Sequence, residues 1–167
     1  MNGAVAETAA KVESCLAELG GAFSKHGEDS FFAKRGSAVV VIRISPWEED
    51  AMVTIEANVV EGASLAANML SQLLEFNHTS TFGAFGLRED GMITVHHCLL
   101  GSQLDPKQLL PAVLEVARIA DDWDDVIVEQ AGGKTAVARL KERVDAPAAQ
   151  PTIEPPPEPG DAPDNRA

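Results

Sequence analysis

Two adjacent strand patterns joined by a short polar turn restrict the fold of this chain more than any other feature. Ala38 to Ser45 reads AVVVIRIS. Branching at Cβ favours extended backbone, and Arg43 alone interrupts the apolar run, so this segment reads as a central strand. Pro46 breaks it, and Trp47-Glu48-Glu49-Asp50 is a polar turn with one aromatic. Met52 to Val60 then alternates. Val53, Ile55, Ala57 and Val59 point one way and Thr54, Glu56 and Asn58 the other, which is the period of a half-buried strand. Turns this short do not accommodate a crossover, so neighbouring strands pair antiparallel.

The remaining elements follow from period and punctuation. Ala4 to Leu19 reads as a helix, because Val5, Ala9, Val12, Leu16 and Leu19 recur on one face. Gly20-Gly21 ends it. Phe31-Phe32-Ala33 is a short apolar strand before a Gly36-Ser37 turn, and His26 falls in a loop. Ser64 to Phe76 is a second helix with Ser64 at its N-cap. Phe82 to Leu87 and Met92 to Leu100 form a hairpin around Arg88-Glu89-Asp90-Gly91. A third helix opens with Asp105 as N-cap, Pro106 at its first position and Gln108 completing a capping box. Pro111 removes a hydrogen bond inside it, so a kink or a later start is expected. Gly132-Gly133 ends that helix, and Thr135 to Val144 reads as a short final one. The class is α+β: an antiparallel sheet of about five strands with three main helices, in the order α-β-β-β-α-β-β-α.

The second helix carries too much apolar surface for one protomer. Leu65, Met69, Leu73 and Phe76 form one stripe, and Ala66, Ala67, Leu70 and Leu74 an adjacent one. A helix apolar over most of its girth is buried on more than one side, and a second subunit supplies that cover. The expected contact is a homodimer through Leu65, Met69, Leu73 and Phe76.

Charge narrows the partners. Acidic residues outnumber basic ones 26 to 13, for a formal charge of −13. Such a field repels phosphate backbones and anionic lipid, so neither nucleic acid nor membrane is expected as a partner. No run reaches the roughly 20 apolar residues that span a bilayer. The N-terminus lacks a basic and apolar leader pattern, so a cytoplasmic protein is expected. Cys15 and Cys98 both lie in apolar patterns and read as buried free thiols.

The motifs that suggest chemistry do not assemble. Gly133-Lys134-Thr135 resembles the end of a phosphate loop, but Val128 stands where the first glycine belongs and a helix precedes it. Asp121-Asp122-Trp123-Asp124-Asp125 resembles a magnesium-binding acidic motif without a second acidic cluster to oppose it. It reads as a solvated acidic face around one anchoring Trp. In His96-His97-Cys98 adjacent strand residues point to opposite faces, so only His96 and Cys98 can share an ion. No catalytic residue, cofactor or metal site is therefore expected, and the chain reads as a non-enzyme. A small metal-dependent sensor or enzyme using His96, His97 or Asp121 to Asp125 stays open as the alternative.

One domain spans residues 1–145. Residues 146–167 hold seven prolines, namely Pro147, Pro151, Pro155, Pro156, Pro157, Pro159 and Pro163, with Ile153 the one large apolar side chain. A segment of that composition is expected to stay a disordered acidic tail.

The run from Leu73 to Asp125 resembles the YbjN domain and the related type III secretion chaperone superfamily (Tir chaperone, CesT-like). The shared pattern begins with a helix ending Leu-Leu-x-Phe-Asn, Leu73 to Asn77, and a Phe-Gly-x-Phe-x-Leu strand, Phe82 to Leu87. An acidic turn at Glu89-Asp90-Gly91 follows, then a helix opening at Leu104 to Leu109 and ending acidic-aromatic-acidic at Asp122-Trp123-Asp124. The resemblance implies a secretion-chaperone-like, non-enzymatic homodimer that holds a segment of a partner protein. It also implies loose links to regulation or stress for the YbjN members, with a dedicated type III secretion chaperone as a further alternative. Phe31, Phe32 and Trp47 are the candidate peptide-binding residues.

Overall fold

A computed structural model describes residues 3–18 and 23–145. The expected Gly20-Gly21 helix stop and the Pro-rich tail lie outside the described residues. The elements are α1 (Gly3–Ala17), β1 (Phe23–His26), β2 (Ser30–Arg35), β3 (Ala38–Trp47), β4 (Asp50–Glu61) and α2 (Ala67–Thr79). They continue with β5 (Ala84–Leu87), β6 (Met92–Leu100), α3 (Pro106–Ala131), β7 (Lys134–Thr135) and α4 (Ala136–Asp145). One antiparallel sheet runs in the order β1-β2-β3-β4-β6-β5, and β7 pairs with the end of β4. The class is α+β as expected, with two short strands, β1 and β7, added to the five.

Strands β3 and β4 form the expected hairpin, but β3 does not stop at Pro46. Its ladder with β4 runs on to Trp47↔Asp50. Pairing of β3 with β2 ends at Arg43, so Pro46 lies where β3 is a sheet edge, the place where a missing N–H is tolerated. β1 went unseen in sequence because Ser24, Lys25 and His26 are exposed edge residues with no apolar alternation. His26 thus belongs to a strand and not to a loop.

Side chains of alternate parity separate the sheet into an inner and an outer face. The inner face is Phe31, Val40, Ile42, Ile44, Val53, Ile55 and Val95, all at or near zero exposure. Val12 and Leu16 of α1 cover it, with Leu109, Val113, Val116 and Ile119 of α3. Asp105 caps α3 by accepting from the Gln108 N–H at 3.1 Å. The helix begins at Pro106 as the cap dictates and runs unbroken through Pro111, which is exposed, to Gly132 at φ 71°.

Ser64 does not cap α2. Its N–H donates to the carbonyl of Ala131 at 2.8 Å, which ties the chain to the end of α3. The helix starts three residues later, at Ala67, with Ala66 at the N-cap and no side-chain cap. Of the two thiols Cys15 is buried, as expected, but Cys98 is exposed, because it lies on the outer face.

Gly133 sits at φ 87°, and a Cβ there would meet the Glu61 carbonyl oxygen at 2.7 Å and the Ala63 nitrogen at 2.8 Å. Both are backbone atoms that cannot rotate away. Gly133→Ala is expected to cost about 1–3 kcal/mol locally and release β7 and α4. Amide exchange would quicken over residues 134–145 and stay unchanged in β3 and α3; unchanged exchange throughout would contradict this reading.

Candidate functional site

The outer sheet face lies away from the core helices α1 and α3, and its chemistry changes along its length. Cross-strand register places Phe32 beside Val41, and Val41 beside Glu56, which pairs with His96. The next row is Ser30, Arg43, Thr54 and Cys98. At the far corner Ser45, Met52 and Leu100 form a row beneath Trp47. One end is therefore aliphatic and aromatic, the middle polar, and the far corner apolar again, with Trp47 52% exposed.

Helix α4 crosses the apolar end. A groove of about 270 Å³ lies between it and the sheet, lined by Phe32, Val39, Val41 and Met92 below and Val137 and Leu140 above. Ion pairs rim it. Arg139 donates from Nε and Nη2 to the two carboxylate oxygens of Glu61, each at 2.7 Å, the bidentate geometry that suits guanidinium and carboxylate. Arg88 pairs with Asp90, donates to the Asn58 side chain at 3.2 Å and approaches Glu56 at 3.7 Å. The hydrogen bonds that Arg88 donates to Asp90 hold the Asp90 carboxyl below, and the Arg88 guanidinium above, their ordinary values. An apolar floor with a rim of oriented charge suits a segment that buries a few side chains and leaves its polar groups in water.

The candidate peptide-binding residues separate by face. Phe31 points inward, is 0% exposed, and has the Lys25 ammonium 5.6 Å from its ring centroid. Phe32 points outward into the groove, with His26 edge-on at 5.6 Å. Trp47 stands at the far corner.

The second helix separates the same way. Met69 and Leu73 are buried in the protomer itself, at 1% and 7% exposure, with Leu65 and Phe76 packed beside that core. The apolar residues that α2 leaves to solvent are Leu70, at 42%, and Leu74, at 67%. A stripe read from period alone does not say which side the protomer fills. Here α3 and β5 fill the side of Met69 and Leu73.

The family-like pattern has a structural reason. Asn77 accepts from the Phe85 N–H at 2.7 Å and donates to the Phe85 carbonyl at 3.1 Å, so its amide pairs with β5 as a strand would. Phe76, Phe85 and Trp123 form a triangle of edge-on rings with centroids 5.2 to 5.3 Å apart. The acidic residues around Trp123 dock α3 as well as face water. Asp121 accepts from the Ser37 N–H at 2.8 Å and from its hydroxyl, and Asp124 accepts from that hydroxyl at 3.2 Å. These bonds hold Asp121 below the usual carboxylate range, while burial pushes Asp124 above it. The docking role of Asp121 and Asp124 was not legible in sequence, since Ser37 lies more than eighty residues away.

His96 and His97 diverge as strand geometry requires. His96 is on the outer face. His97 turns inward, where its Nδ1 accepts from the Gly83 N–H at 3.4 Å and burial lowers its basicity. Among the described residues no group of three or more His, Cys, Asp or Glu is placed to hold a metal ion. Among them also, no helix is long and apolar enough to cross a membrane.

Comparison with known proteins now adds a family. The model of a family described as T3SS (YopN, CesT) and YbjN peptide-binding chaperone 1 matches residues 6–139. No curated protein matches the sequence. Among solved structures, the ExsC–ExsE complex is similar with a TM-score of 0.56 at 18% identity, over 74% of this chain and 95% of that one. The HopA1–SchA chaperone–effector complex is similar with a TM-score of 0.57 at 8% identity, over 71% and 94%. The Yersinia pestis type III secretion chaperone SycH, in complex with a stable fragment of YscM2, is similar with a TM-score of 0.52 at 15% identity, over 68% and 96%. At these identities the structural likeness establishes the fold.

Proposed function

Because the chain belongs to the family of type III secretion (YopN, CesT) and YbjN peptide-binding chaperones, we propose that it is a non-enzymatic homodimer that holds a segment of a partner protein on the outer face of its sheet. The observation that carries this reading is the groove beside Phe32, Val39 and Val41, apolar at its floor and rimmed by the Arg88 and Arg139 ion pairs. The floor is aliphatic and aromatic, and the carboxylates at its rim, Glu61 and Asp90, are held in ion pairs with Arg139 and Arg88. Binding needs only shape and apolar area.

The second copy is assigned to α2. Leu70 and Leu74 lie one turn apart on a helix whose other side is already buried. Covering them removes exposed leucine from water at about 25 cal/mol per Å². A YbjN-like role is the first reading. A dedicated type III secretion chaperone is the second, and the HopA1–SchA chaperone–effector complex and the secretion chaperone SycH among its fold neighbours favour it.

Panning a random-peptide library on the immobilised protein tests the groove. Peptides sharing an apolar motif are expected to be enriched, with at least a ten-fold loss of binding to Val41→Glu, about 1.4 kcal/mol or more. Enrichment indifferent to Val41 would move the site elsewhere, and no enrichment would end the peptide-binding reading.

A further inference from the structure

Helix α4 stands apart from the rest of the fold. Helices α1 and α3 pack on the inner face of the sheet, whereas α4 lies against the outer one. None of its described side chains belongs to the hydrophobic core. Its attachment is built from the two-residue ladder of β7 on β4, the Arg139–Glu61 pair, and the contact of Val137 and Leu140 with the groove. Leu140 is 58% exposed, and the groove beneath remains open. The helix covers the apolar floor without filling it.

Two further observations bear on what α4 is doing there. The family match ends at residue 139, inside this helix. The charge of the segment is also opposite to that of the chain. Residues 134–145 hold Lys134, Arg139, Lys141 and Arg143, four of the chain's 13 basic residues, in a protein of net charge −13. Of these, Arg139 meets the rim, at Glu61, while Lys134 pairs with Glu142 of α4 itself; the other rim carboxylate, Asp90, is paired with Arg88.

We propose that α4 is a displaceable stand-in for the partner. It occupies in cis the site that a partner's basic amphipathic helix takes in trans, with an aliphatic pair at i and i+3, as in Val137 and Leu140, and a basic residue that reaches Glu61. This deepens the peptide-binding reading of the same face and rests on it. A tethered segment competes at an effective concentration of about millimolar, so a partner must bind tightly enough to exclude it. Weak, unspecific segments are thereby refused. If α4 is seated in about nine molecules of ten, the apparent affinity for any competitor falls about ten-fold.

The test uses the full-length chain and a fluorescein-labelled peptide of residues 134–145 as probe, read by anisotropy. Val137→Asp with Leu140→Asp lifts α4 while its folding midpoint is expected to match wild type, since neither side chain is in the core. The peptide is expected to bind this variant at least ten-fold more tightly than it binds wild type. Adding Glu61→Arg is expected to weaken that binding, and a probe carrying Arg139→Glu to restore it. Equal binding to variant and wild type, absence of binding, or indifference to the charge exchange would each overturn the inference. So would loss of the folding midpoint in the Asp variant, which would make α4 part of the fold. If library peptides still bind through Val41 after such a result, the groove reading stands and only the role of α4 is lost.

Discussion

Met69→Glu is expected to leave most of the protein unfolded, whereas Leu74→Glu is expected to fold normally and run at half the wild-type mass. Both replace an apolar residue of α2 with a carboxylate. Met69 is 1% exposed, in the seam between α2 and the core, and Leu74 is 67% exposed on the opposite side. At Met69 the change removes buried contacts worth about 2–5 kcal/mol and adds the desolvation of a charge, several kcal/mol more. That sum is comparable to the whole stability of a domain, about 5–15 kcal/mol. At Leu74 the carboxylate stays in water in the protomer and is buried only when a second copy covers it. Circular dichroism melts and light scattering on a sizing column read both outcomes. A folded Leu74→Glu that keeps the dimer mass would remove α2 from the interface. A wild type that is already monomeric would remove the dimer.

Phe31→Ala and Phe32→Ala are expected to separate stability from binding at adjacent positions. Phe31 fills the inner face, and truncating a buried Phe costs about 3–5 kcal/mol. For a domain of this size that corresponds to a drop of roughly 10 °C or more in the melting midpoint. Phe32 lies on the outer face beneath α4, so its removal should cost less than about 1 kcal/mol while depriving the groove of its aromatic wall. Peptides enriched on wild type should bind Phe31→Ala once it is folded at low temperature, and should lose at least ten-fold in affinity for Phe32→Ala. Equal affinity of the two variants would place the peptide elsewhere.

These pairs show where reading the sequence succeeds and where it stops. The hairpin of β3 and β4, the cap at Asp105, the Gly132 terminator and the buried positions of α1 were legible, because each depends on a period or a turn contained in a few neighbouring residues. The α2 start was misplaced because Ser64 is a good cap in isolation, but its backbone is tied to the Ala131 carbonyl at the end of α3 and the helix begins beyond it, with Ala66 at the N-cap. The edge strand β1 escaped notice because an exposed edge leaves no apolar alternation to read.

The candidate site divides along the same line. Periodicity marked the apolar stripes of α2 as surplus surface, and the resemblance made Phe31 and Phe32 peptide-binding candidates, but neither says which side faces in. That was decided when α1 and α3 packed on one side of the sheet, so that Phe31 and Met69 became core and Phe32, Leu70 and Leu74 remained outside. The groove required more still: β2 and β3 lie far from α4 in the chain, and the β7–β4 ladder, the Arg139–Glu61 pair and the side chains of Val137 and Leu140 bring α4 across the sheet. By itself the sequence determined the main helices and the strands β2 to β6, their antiparallel pairing and the acidic, apolar-rich character of the chain, since these follow from local sterics and side-chain period. Tertiary structure alone decided which apolar residues are left over for a partner, since burial is a property of contacts between segments far apart in the chain.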